Sequence, residues 1–135
     1  MGALGWEVDA ANRLVVVSGV GVFDFSFFVA YRKAMQAKGT GYYRKLLDLR
    51  RADIVLNPHD FDRILVDAQF DRLTAGPVAI MMGTSPPPRL VDMATLLQHR
   101  MGLARRMRLF TDEGEARRWL ANEPIPGPGA VRSER

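Results

Sequence analysis

The chain alternates between short runs of β-branched and aliphatic residues and longer stretches in which apolar residues recur every three or four positions. Trp6-Glu7-Val8 alternates, Asp9-Ala10-Ala11-Asn12 supplies turn chemistry, and Leu14-Val15-Val16-Val17 is β-branched, so the chain is expected to open with an antiparallel hairpin. Gly19-Val20-Gly21 is expected to break the second strand. Asp24 or Ser26 then caps a helix to about Lys38, with Phe27, Tyr31 and Ala34 as its core stripe and Phe28 and Met35 beside it. Gly39-Thr40-Gly41 ends that helix.

Tyr43 to Leu49 reads as a short aliphatic strand around Leu46-Leu47. Because a helix separates it from the hairpin, it is expected to run parallel to one hairpin strand and to lie at the sheet centre. Asn57-Pro58 starts a second helix, with Asn as the cap and Pro at the first helical position, and Gly76-Pro77 stops it after about Thr74. Val78-Ala79-Ile80-Met81-Met82 is nearly all apolar, as a strand buried on both faces must be, and Gly83 closes it. Ser85 caps a third helix whose first turn tolerates Pro86, Pro87 and Pro88, with Leu90, Met93, Ala94, Leu97 and Met101 facing inward. Met107-Arg108-Leu109-Phe110 is a fifth strand. Thr111-Asp112-Glu113 with Glu115 gives the last helix a cap and an acidic first turn ahead of Ala116, Trp119 and Leu120. The predicted order is ββαβαβαβα, an α/β fold in which about five strands form a mixed sheet packed with about four helices.

The 135 residues make one domain, assigned to 1–122; the Pro- and Gly-rich segment 123–135 is expected to be a disordered tail. With no cysteine the chain has neither a disulfide framework nor a thiolate metal site, which fits the cytoplasm. Its longest apolar stretch, Leu14 to Phe23, is too short and too Gly-interrupted to span a membrane, and no cationic segment precedes it as a signal peptide requires. Met1-Gly2 opens like a myristoylation site, but Trp6 stands where that motif needs Ser or Thr. The net charge of +4 comes from arginines interleaved with acids, so no long basic block marks a nucleic-acid footprint.

Catalytic chemistry finds little support. His59 and His99 are the only histidines and lack the spacing of a metal pair or a catalytic triad, while Asp60, Asp67 and Asp71 fall on one side of a helix as a solvated face does. Gly19 and Gly21 lack the third glycine of a dinucleotide fingerprint, and Asp24 would repel a pyrophosphate. Gly83-Thr84-Ser85, at a strand end and a helix start, has the makings of an anion nest, although capping alone also explains Ser85. With Arg50 these three form the candidate ligand site. The second helix carries two apolar stripes: Phe61, Ile64, Leu65 and Ala68 on one side, and Val66, Phe70 and Leu73 on another. One covers the sheet; the other meets either a neighbouring helix or a partner, which makes Val66, Phe70 and Leu73 the candidate partner-binding residues. No cofactor is implied.

The strand Lys45-Leu46-Leu47-Asp48-Leu49-Arg50, the element order and the closing segment from Arg108 to Leu120 together resemble the SpoIIAA-like group of STAS-related domains, over residues 4 to 122. Phe110, Asp112, Glu115, Ala116, Trp119 and Leu120 fit the closing motif of that group and look structural. The resemblance implies a five-stranded sheet packed with helices and a non-enzymatic role in binding proteins or small ligands. Anti-sigma-factor antagonists of the wider family carry an Asp-Ser-Ser-Gly switch just after the central strand. Asp48-Leu49-Arg50-Arg51, taken to occupy that region, has no serine to phosphorylate, so the switch does not carry over. A Sec14-like likeness implies an alternative, a small apolar or anionic ligand such as a lipid or phosphorylated metabolite; an apolar ligand would use Phe23, Phe25, Phe27, Phe28, Met81 and Met82, residues that core packing also explains. The expectation is a cytoplasmic regulatory module that binds a protein partner or itself, with no nucleic-acid role and no membrane span.

Overall fold

The computed structural model describes residues 3–55, 76–82 and 107–125, together with Asn57, His59, Asp60, Arg63 and Asp92. Five strands, β1 (Ala3–Asp9), β2 (Leu14–Phe23), β3 (Arg44–Ile54), β4 (Val78–Met81) and β5 (Met107–Phe110), form one sheet in the order β1-β2-β3-β4-β5. The β1–β2 pair is antiparallel and the other three are parallel, so the sheet is mixed with β3 at its centre, as its aliphatic sequence predicts. At the hairpin turn Asp9 accepts from the backbone N–H and side-chain amide of Asn12, at 3.1 and 2.7 Å. Arg13 there takes a left-handed φ of 51°.

Helix α1 (Phe25–Lys38) follows β2, and α2 (Glu113–Asn122) follows β5. Both begin on aspartates whose side chains accept backbone N–H groups: Asp24 from Ser26 and Asp112 from Gly114. Gly39 closes α1 at φ 66°, a conformation that suits glycine, with its N–H donating to Gln36 O. Asn57 and Asp60 cap one another, Asp60 N–H donating to Asn57 Oδ1 at 2.8 Å and Asn57 N–H to Asp60 Oδ2 at 3.3 Å. His59, Asp60, Arg63 and Asp92 are helical. The remainder of the two middle helices predicted from sequence lies outside the described residues. No described helix is long and apolar enough to cross a membrane.

Strand alternation divides the core between two faces. On one, α2 lays Ala116 and Leu120 onto Leu46, Ala79, Met81 and Phe110, with Leu14, Val16 and Trp119 at the margin. On the other, Met35 of α1 meets Val15 and Val17, ringed by Leu4, Trp6, Tyr31, Tyr43 and Leu47. Leu49, Val78, Ile80 and Met82 continue that second face and are buried too. Removing a large side chain of this kind from water is worth roughly 1.5–3 kcal/mol.

Three details differ from the sequence reading. Gly19-Val20-Gly21 does not break β2, which continues to Phe23; an added Cβ at Gly19 would come within 2.6 Å of the Phe23 ring, so glycine here leaves room for a ring folded back over the strand. The fully buried residue of α1 is Met35, while Phe27, Tyr31 and Ala34 are half-buried, because Phe27 packs on Phe23 and Tyr31 stacks on Trp6 at the rim of the sheet. The central strand starts at Arg44 and continues five residues beyond Leu49, since β2 and β3 go on pairing to Phe23 and Ile54.

Candidate functional site

The site forms where β3 outruns β4. Partners of β2 step from Ser18 to Val20 while those of β3 step from Asp48 to Arg51, so an extra residue of β3 is accommodated as a bulge around Leu49 and Arg50. The bulge swings Arg50 back over its own strand. Its backbone N–H donates to Asp48 Oδ1 at 3.2 Å, and its guanidinium grips Asp48 through Nε to Oδ1 at 2.9 Å and Nη2 to Oδ2 at 2.7 Å. Nη2 also reaches Glu113 Oε1 at 3.4 Å in the first turn of α2, and Arg117 Nε holds the other oxygen of Glu113 at 2.9 Å. The hydrogen bonds from Arg50 hold the Asp48 carboxyl below its ordinary value of 3.8, and Asp48 in turn raises Arg50.

The other end of α2 is fastened by the same strand. Arg44 donates through Nε to Leu120 O at 2.7 Å and to Glu123 O at 3.2 Å, and through Nη2 to Glu123 O at 3.0 Å. Two arginines of β3 thus hold both ends of one helix, a cation lying against the C-terminal carbonyls as the helix dipole favours. Glu123, counted with the tail in the sequence reading, is fixed at its carbonyl. Lys45, which stands between Arg44 and the Leu46-Leu47 pair, is 2% exposed; its Nζ donates to the carbonyls of Gly41 and Tyr43. Those carbonyls belong to the turn against which Gly76 packs: an added Cβ on Gly76 would lie 2.2 Å from Tyr43 O.

Beyond the bulge, β2 and β3 project as a two-stranded ribbon. β1 pairs no further than Val20, and β4 no further than Asp48. Gly21 and Phe23 continue the α1 side of β2, whereas Val20 and Val22, 49% and 48% exposed, continue the side that α2 covers lower down. Their register partners on β3 are the exposed Arg51 and Asp53, and Val55 follows, also exposed.

Of the ligand site expected from sequence, Arg50 lies inside β3 at the bulge and not in a loop after the third strand, because the strand runs on to Ile54. An anion recruited by Arg50 would have to compete with Asp48 and Glu113. Gly83, Thr84 and Ser85, and the partner-binding Val66, Phe70 and Leu73, lie outside the described residues, as does His99. The segment following the central strand is therefore 55–60 and not Asp48 to Arg51; it too contains no serine. His59 is exposed in the turn opened by Asn57. Among the described residues no group of three or more His, Cys, Asp or Glu could hold a metal ion. The sequence reading passed over Val20, Val22, Arg51 and Asp53; the available signal was their period-two alternation, obscured by the bulge and two glycines.

Solved structures share this architecture. An uncharacterised DUF3478-family protein with a SpoIIAA-like fold from Shewanella loihica PV-4 superposes with a TM-score of 0.58 at 16% identity, covering 88% of this chain and 93% of its own. The anti-sigma factor antagonist SpoIIAA in its unphosphorylated form gives 0.57 at 15% identity, over 89% and 99%. An anti-sigma factor antagonist from Mycobacterium paratuberculosis gives 0.59 at 17%, over 90% and 96%. No protein-family profile and no curated protein matches the chain. The fold is therefore the SpoIIAA-like α/β fold. At these identities the likeness defines architecture and not activity.

Proposed function

We propose that the chain is a cytoplasmic, non-enzymatic regulatory domain that acts by binding another protein. One observation carries this reading: the ionised groups at the bulge of β3 and on α2, Asp48, Arg50, Glu113 and Arg117, are engaged with one another as a clamp between strand and helix, and an apolar and charged surface stands exposed beside them. A catalytic site aims such groups at a shared position for the reacting atom, whereas these four spend their charges on one another. The likeness to two anti-sigma factor antagonists supports the same reading, since their role is named for an opposing protein. The second-helix stripe Val66, Phe70 and Leu73 is the contact the sequence pattern offers to that partner.

Affinity capture from the source cells tests it, using the native chain and a Val66→Asp/Phe70→Asp variant checked for an intact circular-dichroism melt. One specific protein, captured in near-stoichiometric amount by the native chain and lost with the variant, is the expected result. Native mass spectrometry on the purified chain supplies the counter-test: a co-purified lipid or phosphorylated metabolite, with no protein captured, would overturn this reading in favour of a small-ligand carrier.

A further inference from the structure

We propose that the exposed face of the β2–β3 ribbon is a self-recognition surface, on which a second copy of this chain docks face to face. The argument rests on its charge order. Val20 lies beside Arg51 and Val22 beside Asp53, so the face reads as an apolar row flanked by one positive and one negative side chain two residues apart. A two-fold axis between the two faces and perpendicular to the strands lays β2 on β2 and β3 on β3 with reversed direction. Arg51 then meets the partner's Asp53, Asp53 meets the partner's Arg51, and Val20 and Val22 cross over one another. The pattern is complementary to its own reversed copy, which an isologous contact requires and a foreign partner does not.

Three further features fit this occupant. Arg51 and Asp53 form no ion pair with the described residues, in contrast to Asp48, Arg50, Glu113 and Arg117 next to them, and both are exposed. The valines remain about half exposed although the same side of β2 is covered lower down at Leu14 and Val16. Helix α2 begins beside Arg50, so it leaves the ribbon beyond the bulge open to an approaching sheet at the usual spacing of about 10 Å. The patch is small beside a standard interface of about 800 Å² per partner, which predicts a reversible dimer whose population depends on concentration.

Charge exchange on the purified full chain tests this, with sedimentation velocity across a concentration series as the readout. Arg51→Asp and Asp53→Arg each place like charges opposite one another and are expected to weaken dimerisation by about tenfold or more. The double variant, and an equimolar mixture of the two single variants, restore complementary pairs and recover the native dissociation constant to within a few fold. Because the chain has no cysteine, a second measurement is clean: mixed Val20→Cys and Val22→Cys chains should be joined by a short bifunctional thiol cross-linker, which spans the sheet spacing as a direct disulfide does not, in yield well above either variant alone. A chain that stays monomeric at every concentration overturns the proposal. A dimer indifferent to both charge reversals, or cross-links equal in single and mixed samples, overturns it as well by placing self-association elsewhere. Since only this chain is present, failure here leaves the foreign-partner reading above standing.

Discussion

The two halves of the β2–β3 pair show what decides the fate of a strand surface. β2 alternates in the same way through both halves, and each half carries valine on the side that α2 faces. Below the bulge that side is closed by Ala116, Leu120 and Trp119; above it, Val20 and Val22 stay open. The difference comes from reach and not from residue type. α2 has ten residues, about 15 Å at 1.5 Å per residue, and its ends are fixed by Arg44 and Arg50, so it cannot extend over the ribbon. A valine is core or surface here according to where two arginines anchor a helix.

The strongest way to break this comparison is to truncate one side chain in each half. Leu46→Ala, on the covered side of the central strand, is expected to cost about 3 kcal/mol, and Val20→Ala to change stability by less than about 0.5 kcal/mol. Equal midpoint shifts in urea would show that both halves belong to the core. Gly76→Ala comes next: its Cβ meets backbone carbonyls of Tyr42 and Tyr43 that cannot rotate away, and a loss of about 2 kcal/mol in thermal melts is expected. Arg44→Ala releases the carbonyls of Leu120 and Glu123, with about 1–2 kcal/mol lost and faster hydrogen exchange in the last turn of α2. A variant that melts with unchanged exchange there would show that packing alone seats the helix.

The smallest effect belongs to the exposed clamp. Asp48→Asn is expected to cost less than about 1 kcal/mol at neutral pH, because the pair is partly exposed and screened. Its pH dependence is the sharper observation. Asp48 is held below its ordinary value of 3.8 in the folded chain, so its contribution is complete above about pH 4 and fades as pH falls through the lowered folded value. The gap between native and variant stability should stay level above pH 5 and close in the acid range. A gap that persists there would assign the effect to packing.

Much of this architecture is written locally. The caps Asp24, Gly39, Asp112 and the Asn57–Asp60 pair stand at fixed offsets from the helices they open or close, and β4 announces itself as an unbroken apolar run. The extent of β3 is not written that way. A bulge shifts the alternation by one position, so the consecutive Arg50 and Arg51 read as the end of a strand that in fact runs on to Ile54. Gly19 and Gly21 misled for a related reason: glycine ordinarily weakens a strand, but at Gly19 it makes room for the ring of Phe23. The candidate site was legible only as charge. That Arg50 reaches a carboxylate 63 positions away depends on tertiary assembly, and so does the burial of Lys45, whose acceptors are the carbonyls of the turn at Gly41 and Tyr43.

The register of β1 against β2 has a practical consequence for anyone labelling this protein. Ala3 sits opposite Val20, so a tag or fluorophore joined ahead of it emerges beside the ribbon and competes for whatever lands there. Glu123 is tied down at the far end of the molecule by Arg44, and a reporter appended downstream of it starts from the end remote from the ribbon.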